Sequence, residues 1–433
     1  MTFIRFGPAV RNCAIQIFCA LLLLPISSAP AQERLTLSDV YALAARAPRV
    51  DAAASLAAAQ RAKVPSARTL PDPELQLGFM NRSLPSLAPM DPLGMTQIQL
   101  MQMLPIGGKL ALAGRIASSN AAAAEARALD TRWDVRARAA MQFYDLYIVE
   151  SQLAIERETK LLVQDIAKVS QAMYAVGDAK QSDVLRAQLE IAKMTEDITR
   201  MESMRTSMSA KLAALLDVPP ESISSRAVFP SIPDSIPPLA ALIAEAGRNR
   251  PMISAGEREL RAVDAEVALA RKEIWPDLQI GLQYGWRSGE MGTEKMGSLM
   301  LGARVPIYAR SRQLRMREEA SAMRAMADAD LKAMRADTRG RMTELYADYT
   351  RAKNLRALYT TTVLPQADAT VTASFTAYRV GDVNLMTLLD NRTTVNRYHR
   401  ELIALDAERG KAIAEMEMLL GRELFDPSAG VRK

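Results

Sequence analysis

Few side chains in this sequence could carry out acid–base, nucleophilic or redox chemistry. The chain has one histidine, His399, and two cysteines, Cys13 and Cys19. A single histidine removes the usual proton shuttle and nearly all histidine-built metal sites. The Gly-Gly-Lys segment at 107–109 lacks the G-x-x-x-x-G-K-[ST] spacing of a phosphate-binding loop. We find no Ser-His-Asp, Cys-His or paired-carboxylate arrangement, so the sequence predicts neither an enzyme nor a cofactor.

Methionine is frequent in this sequence, and its thioether could bind a metal ion. Eight methionines surround two strand-like segments: Met80, Met90, Met95, Met101, Met103, Met291, Met296 and Met300. Thioether clusters bind Cu(I) or Ag(I). Methionine also packs flexibly against lipid or neighbouring strands. The sequence favours packing and leaves metal binding as the alternative.

The amino terminus predicts a secretory signal peptide over residues 1–31. Arg5 and Arg11 precede an apolar run from Cys13 to Leu24, and residues 29–31 form an A-x-A cleavage pattern. A short membrane anchor is the alternative, but the run is shorter than the roughly 20 residues that a spanning helix needs. Both cysteines lie inside this segment, so we expect the mature chain to have none.

The charge of the remaining chain is nearly balanced. Residues 1–31 contain two arginines and no acid, which leaves 53 basic and 49 acidic residues. The basic residues are scattered among the acids, so we expect no nucleic-acid partner. No later stretch reaches 18 consecutive apolar residues, so the sequence predicts no membrane-spanning helix after the signal peptide.

Four landmarks recur in the same order at offsets of 201 to 204 residues. They are Pro48 with Pro251, Pro73–Gly78 with Pro276–Gly281, Leu104–Ile106 with Val305–Ile307, and Tyr174–Asp178 with Tyr378–Asp382. Ordered self-similarity of this kind predicts a tandem duplication. We place the first repeat at 32–220 and the second at 221–433.

Each repeat is expected to contain a helix, a β-hairpin and a long helical hairpin. No proline lies between Pro105 and Pro219, and apolar residues recur there at three- and four-residue steps. Lys109–Met173 alone would make about 100 Å of helix. The second copy runs from about Arg310 to Arg379, with a kink expected at Pro365. Helices this long need partner helices along their length, as in coiled coils.

The predicted hairpins, about 72–104 and 276–306, alternate apolar and polar residues. In the second hairpin Leu278, Ile280, Leu282 and Tyr284 alternate with Asp277, Gln279, Gly281 and Gln283. This pattern is typical of transmembrane β-barrel strands, although a solvent-facing hairpin is the alternative. Four strands cannot close a barrel, since the smallest known barrels have about eight, so several chains would have to pool their strands.

The order of these features resembles the TolC-like family of outer-membrane efflux channels. Tyr174 to Gln188 looks like the hairpin-tip motif of that family, and Tyr378 to Asp390 is a similar second copy. The resemblance covers residues 35–424. Segment 79–109 is similar to the heavy-metal branch, which includes the cobalt-zinc-cadmium and copper-silver systems.

The resemblance implies a mainly α-helical fold with a small β part. Four transmembrane strands per chain would complete a twelve-stranded barrel in the outer-membrane lipid as a homotrimer. Below it, tandem-duplicated coiled-coil helices would form a barrel through the periplasm. Such a channel is a passive export duct that docks with a periplasmic adaptor and an inner-membrane RND-type pump. The expected cargo is heavy-metal cations. The alternatives are a periplasmic coiled-coil adaptor, or a duct for drugs or secreted proteins.

The resemblance also assigns roles at the helical tips. The pore-entrance and gate candidates are Tyr174, Asp183, Tyr378 and Asp390, and the adaptor-contacting residues are Gly177, Asp178, Gly381 and Asp382. In a trimer each acid would be repeated three times around the axis and would attract cations. Alternatively, Asp183 caps the returning helix. The family often has a basic residue after the second tip glycine, where this chain has Val383, so we expect no gate lock from that position.

Overall fold

The computed structural model describes residues 34–83, 85–88, 94–223, 226–289 and 292–426. The predicted signal peptide lies outside these residues, and so do Met90 and Met291.

The chain is mainly α-helical, and the order of its elements repeats. The first half contains α1 (Leu37–Ala44), α2 (Pro48–Arg68), β1 (Glu74–Met80), β2 (Met95–Leu104), α3 (Lys109–Ala175) and α4 (Gln181–Leu216). A 3₁₀ turn, Pro220–Ile223, follows. The second half contains α5 (Leu239–Asn249), α6 (Pro251–Lys272), β3 (Asp277–Gly289), β4 (Gly292–Arg304), α7 (Gln313–Leu358), α8 (Leu364–Arg379) and α9 (Leu385–Leu420). Both halves therefore have two helices, a hairpin and a long helical hairpin.

The long helices form as the apolar period predicts. Helix α3 runs without a break for 67 residues, which corresponds to about 100 Å. The second copy is divided into α7 and α8 by a π-helical turn, Tyr359–Val363. Pro365, in the first turn of α8, has no N–H and its ring would clash with the carbonyl of Thr361. The wider π turn accommodates this proline, which has no counterpart in α3.

The four strands form one antiparallel sheet in the order β1-β2-β3-β4. The two predicted hairpins are therefore joined, because β2 pairs with β3. The outer edges of β1 and β4 pair with no other strand in the described part of the chain. Unpaired edges of this kind are ready to pair with another chain.

The register separates the sheet into an apolar and a polar face. Directly paired residues share a face, and Leu75, Leu100, Leu282 and Leu299 lie side by side across the four strands. This apolar face also carries Leu77, Phe79, Ile98, Leu278, Ile280, Tyr284, Trp286 and Leu301. The opposite face carries Gln76, Gln97, Gln99, Gln279, Gln283 and Ser298. Leucines at 75, 282 and 299 are more than half exposed in the single chain.

The main core lies midway along the long helices. Phe143 and Tyr144 of α3 are fully buried there beside α1, α4 and α9. A Cβ on Gly410 of α9 would overlap the ring of Tyr144, so glycine allows the two helices to approach closely. Among the described residues, no helix is long and apolar enough to cross a membrane.

Lys109 connects the first long helix to the sheet. Its ammonium group donates hydrogen bonds to Asp277 Oδ1 at 2.8 Å and to the carbonyl of Trp275 at 3.0 Å. The side chain is only 7% exposed. This buried pair fixes the start of α3 against the start of β3, and so joins the two halves at the base of the sheet.

Candidate functional site

The first helical hairpin reverses at Gly177. Helix α3 ends at Ala175, and Gly177 has a φ of 86°. Its N–H donates to the carbonyl of Tyr174 at 3.1 Å, and the N–H of Asp178 donates to the carbonyl of Met173 at 2.9 Å. This is a Schellman motif, which requires a left-handed residue after the helix.

The second hairpin repeats this geometry at Gly381, which has a φ of 82°. Gly381 N–H donates to Tyr378 O at 3.1 Å, and Asp382 N–H donates to Ala377 O at 3.0 Å. No atom lies within 4 Å of where a Cβ would be at either tip glycine, so backbone conformation rather than space favours glycine. The proposed adaptor residues, the two glycines with Asp178 and Asp382, are all exposed.

The helices that return from the tips begin differently. Asn384 caps α9, and its side chain accepts a hydrogen bond from Thr387 N–H at 2.9 Å. Helix α4 begins after Lys180 without a side-chain cap. Asp183 lies in its first turn, and its backbone N–H donates to Lys180 O at 3.0 Å. The capping alternative for Asp183 was therefore wrong, because the N-cap lies three residues earlier. Its carboxylate still interacts favourably with the helix dipole.

The two tyrosines of the tip motif have different environments. Tyr378 is 4% exposed, whereas Tyr174 is 46% exposed. The hydroxyl of Tyr378 lies 2.5 Å from that of Ser170 on α3, in a buried hydrogen bond. This bond connects the first helical hairpin to the second.

A small apolar core surrounds that hydrogen bond. It is formed by Val163 and Ile166 of α3, Ala187 and Met194 of α4, and Leu385, Leu388 and Leu389 of α9. Helices from both halves therefore pack together just above the tips. A change in the relative position of the two tips would have to disturb this packing.

Ser170 was not predicted from the sequence. It follows Val163 and Ile166 at steps of three and four residues, so it occupies the apolar stripe of α3. A polar residue at such a position signals a buried hydrogen bond. That signal was available, but the partner is 208 residues away in the chain.

The tip acids remain available to solvent. Asp183 is half-buried and Asp390 is exposed. Neither makes an ion pair with another side chain in the described part of the molecule. The single chain does not bring these two carboxylates into contact.

A second polar cluster lies where α1 and the end of α9 pack against α3. Glu417 of α9 is 1% exposed, and its Oε1 accepts a hydrogen bond from Leu424 N–H at 2.8 Å. Its Oε2 lies 3.8 Å from Arg136. Arg136 also pairs with Glu423 at 2.8 Å and stacks on the ring of Tyr41. Burial raises the pKa of Glu417 to about 7, despite the opposing effects of the Leu424 hydrogen bond and Arg136.

Conventional metal ligands do not converge in the described residues. No group of three or more His, Cys, Asp or Glu side chains is arranged there to hold a metal ion. His399 is partly exposed and lies 3.7 Å from Asp368. The tips therefore offer backbone turns, exposed carboxylates and a buried tyrosine link.

Comparison with known proteins identifies the family. The model of the family described as "Outer membrane efflux protein" matches residues 40–217 and 242–422. The cobalt-zinc-cadmium resistance protein CzcC of Cupriavidus metallidurans is 21% identical over 415 residues, which cover 92% of this chain and 93% of that protein.

Solved channel structures share the fold. VceC from Vibrio cholerae aligns over 90% of this chain and 97% of its own, with a TM-score of 0.77 and 16% identity. CusC aligns over 89% of this chain and 92% of its own, with a TM-score of 0.76 and 15% identity. The long helices, the repeated element order and the four-stranded sheet are thus those of outer-membrane channels. The chain belongs to the outer membrane efflux protein family and is an outer-membrane efflux channel with a large periplasmic helical portion, not an enzyme.

Proposed function

We propose that three copies of this chain form a passive duct that carries metal cations from the periplasm to the exterior. The observation that carries this proposal is the four-stranded sheet with one apolar face and two edges that pair with no other strand among the described residues. Lipid covers the apolar face, and the polar face lines the water-filled interior. The backbone N–H and C=O groups along the two edges form hydrogen bonds when copies of the chain pair with one another.

The number of copies follows from the width that a duct needs. Two copies would supply eight strands, and side chains fill the interior of a barrel of about that size. Three copies supply twelve and leave room for an aqueous path. Channels of this family function as trimers with adaptor and pump partners, which also supports three copies here. The exposed tips at Gly177 and Gly381 are the surfaces that we assign to the adaptor, and an inner-membrane RND pump supplies the energy.

The proposal that the duct carries metal cations rests on the similarity to CzcC and on the negative charge of the tip residues. CzcC is named for cobalt, zinc and cadmium resistance, and the similarity spans nearly the whole of both chains. In a trimer, Asp183 and Asp390 add six carboxylates at the entrance, where a narrow passage strengthens their effect on passing ions. A duct with this entrance favours cations over anions.

Removing the tip carboxylates tests whether Asp183 and Asp390 make the pore entrance selective for cations. We expect the double variant Asp183→Asn/Asp390→Asn to reduce the cation-to-anion permeability ratio several-fold, because each neutralised side chain is repeated around the pore. Reversal potentials across a planar bilayer under a salt gradient measure this ratio. The variant Asp51→Asn/Glu221→Gln, which removes the same charge outside the tips, serves as the control. Equal selectivity in the tip variant and wild type would contradict a role at the pore entrance.

The link between Tyr378 and Ser170 is proposed to hold the entrance narrow. We expect Tyr378→Phe to increase single-channel conductance, because it removes a buried hydrogen bond between the two hairpins and leaves the Ser170 hydroxyl unpaired. Tyr174→Phe is the matched control, since it removes the same hydroxyl from an exposed ring of the first tip. Conductance that rises equally in both variants, or in neither, would contradict this role of the buried link.

A further inference from the structure

Six of the eight methionines near the strands share one face of the sheet. Met80 lies on β1, Met95, Met101 and Met103 on β2, and Met296 and Met300 on β4. The register places all six on the face opposite the exposed leucines, together with glutamines, glycines, Glu74 and the ion pair between Arg287 and Glu294. Packing against lipid therefore does not explain them, because lipid contacts the apolar face of a barrel.

Glycines in β3 allow methionines from the strands on either side to approach one another. Gly281 pairs with Met101 on one side and with Met300 on the other. A Cβ at Gly281 would lie 3.6 Å from Met101 Cγ and 3.4 Å from Met300 Cε, so these two atoms are at most about 7 Å apart. Met103 lies two residues from Met101 on the same face. Because Gly281 has no side chain, the side chains of Met101 and Met300 can occupy the space above it.

A second group repeats this arrangement further along the strands. Met80 pairs directly with Met95 across β1 and β2. The sulfur of Met95 lies 2.8 Å from the position that a Cβ would have at Gly285, which pairs with Met296 of β4. Met95 and Met296 thus approach the second glycine from the strands on either side, and Met80 lies beside Met95 on β1. Two groups of thioethers, each centred on a glycine of β3, follow one another along the strand.

We propose that these two groups bind soft monovalent cations, Ag(I) or Cu(I), on the inner face of the barrel. Thioethers are soft, uncharged ligands that prefer such ions to zinc or cobalt. The flexible methionine side chain can bring two sulfurs onto one ion without moving the backbone. Conduction requires binding that still permits release, and successive weak sites along a wall meet that requirement. The inference rests on the proposed barrel but not on which metal cations the duct carries.

Silver binding to the detergent-solubilised protein tests the inference. Ag(I) as silver nitrate, in chloride-free buffer, is titrated calorimetrically into the trimer. The background is low, because the predicted mature chain has no cysteine and one histidine. The test variant Met95→Leu/Met101→Leu/Met296→Leu/Met300→Leu preserves side-chain volume and removes the sulfurs. The control, Met323→Leu/Met326→Leu, removes exposed thioethers from α7.

We expect wild type and the α7 control to bind the same amount of silver, and the strand variant to lose at least about half of it. Light scattering first establishes that each preparation is a trimer, so a failure to assemble, which counts against the proposed function, is distinguished from a failure to bind. An intact trimer that binds no silver, or a strand variant that binds as much as wild type, would overturn the inference.

Discussion

Replacing Leu282 with arginine is expected to prevent stable insertion into the outer membrane. Leu282 lies within β3, on the apolar face between Leu100 and Leu299, and is 58% exposed in the single chain. In a barrel that exposed surface meets the hydrocarbon of the bilayer. An arginine there costs about 2–4 kcal/mol at the membrane midplane, and threefold assembly repeats the cost in each copy.

The neighbouring residue provides the matched control. Gln283 lies one position further along β3, on the opposite, polar face, so Gln283→Arg places the same charge in water. Heat-modifiable trimer in isolated outer membranes measures assembly for each variant. We expect Leu282→Arg to abolish the trimer and Gln283→Arg to retain it. Equal loss in both variants would show that the strand tolerates no charge on either face and would contradict the assigned orientation.

Replacing Glu417 with glutamine is expected to stabilise the helical body above neutral pH. Burial raises the pKa of Glu417 from an ordinary value of 4.5 to about 7. The folded chain therefore holds this proton more tightly than the unfolded chain does. The bound proton on Glu417 therefore stabilises the fold fully below pH 4.5. This stabilisation is lost as the pH rises through about 7. At pH 8 the ionised carboxylate then costs about 3 kcal/mol relative to the unfolded chain.

Glutamine removes that cost and retains the main contact. Its amide oxygen can accept the Leu424 N–H bond that Glu417 Oε1 accepts now. Thermal unfolding of the trimer at pH 5 and pH 8 should show a loss of stability with rising pH in wild type and a smaller loss in Glu417→Gln. Glu401→Gln, at an exposed carboxylate of the same helix, is the control. A variant as sensitive to pH as wild type would contradict the raised pKa.

The strongest sequence predictions concern elements that local pattern determines. Helix α3 was predicted because apolar residues recur at helical steps across a long stretch without proline. The strands were predicted because alternation places every second residue on one face. The paired tip glycines followed from the duplicated Tyr-x-Val-Gly-Asp motif, since a chain reversal favours a residue that adopts positive φ.

The features of the structure that local pattern does not predict depend on contacts between residues distant in the chain. The pairing of β2 with β3 joins segments of the two halves, and no local pattern encodes that choice. The different environments of Tyr174 and Tyr378 are not visible in their nearly identical motifs, because the partner of Tyr378, Ser170, lies 208 residues away in the chain. The methionines could not be assigned to a face until the register was known, since the alternation of β2 is weak.

Cysteine cross-linking tests whether neighbouring copies close the barrel by pairing β4 with β1. Leu77→Cys in β1 is combined in turn with Leu299→Cys or Leu301→Cys in β4. The predicted mature chain has no other thiol. Two strands separate these positions within one chain, about 14 Å across the sheet, so a short bifunctional maleimide reaches only between copies. We expect denaturation-resistant products of two and three chains and none larger. Single-chain products alone, or a ladder that continues beyond three, would contradict closure of the barrel by three copies.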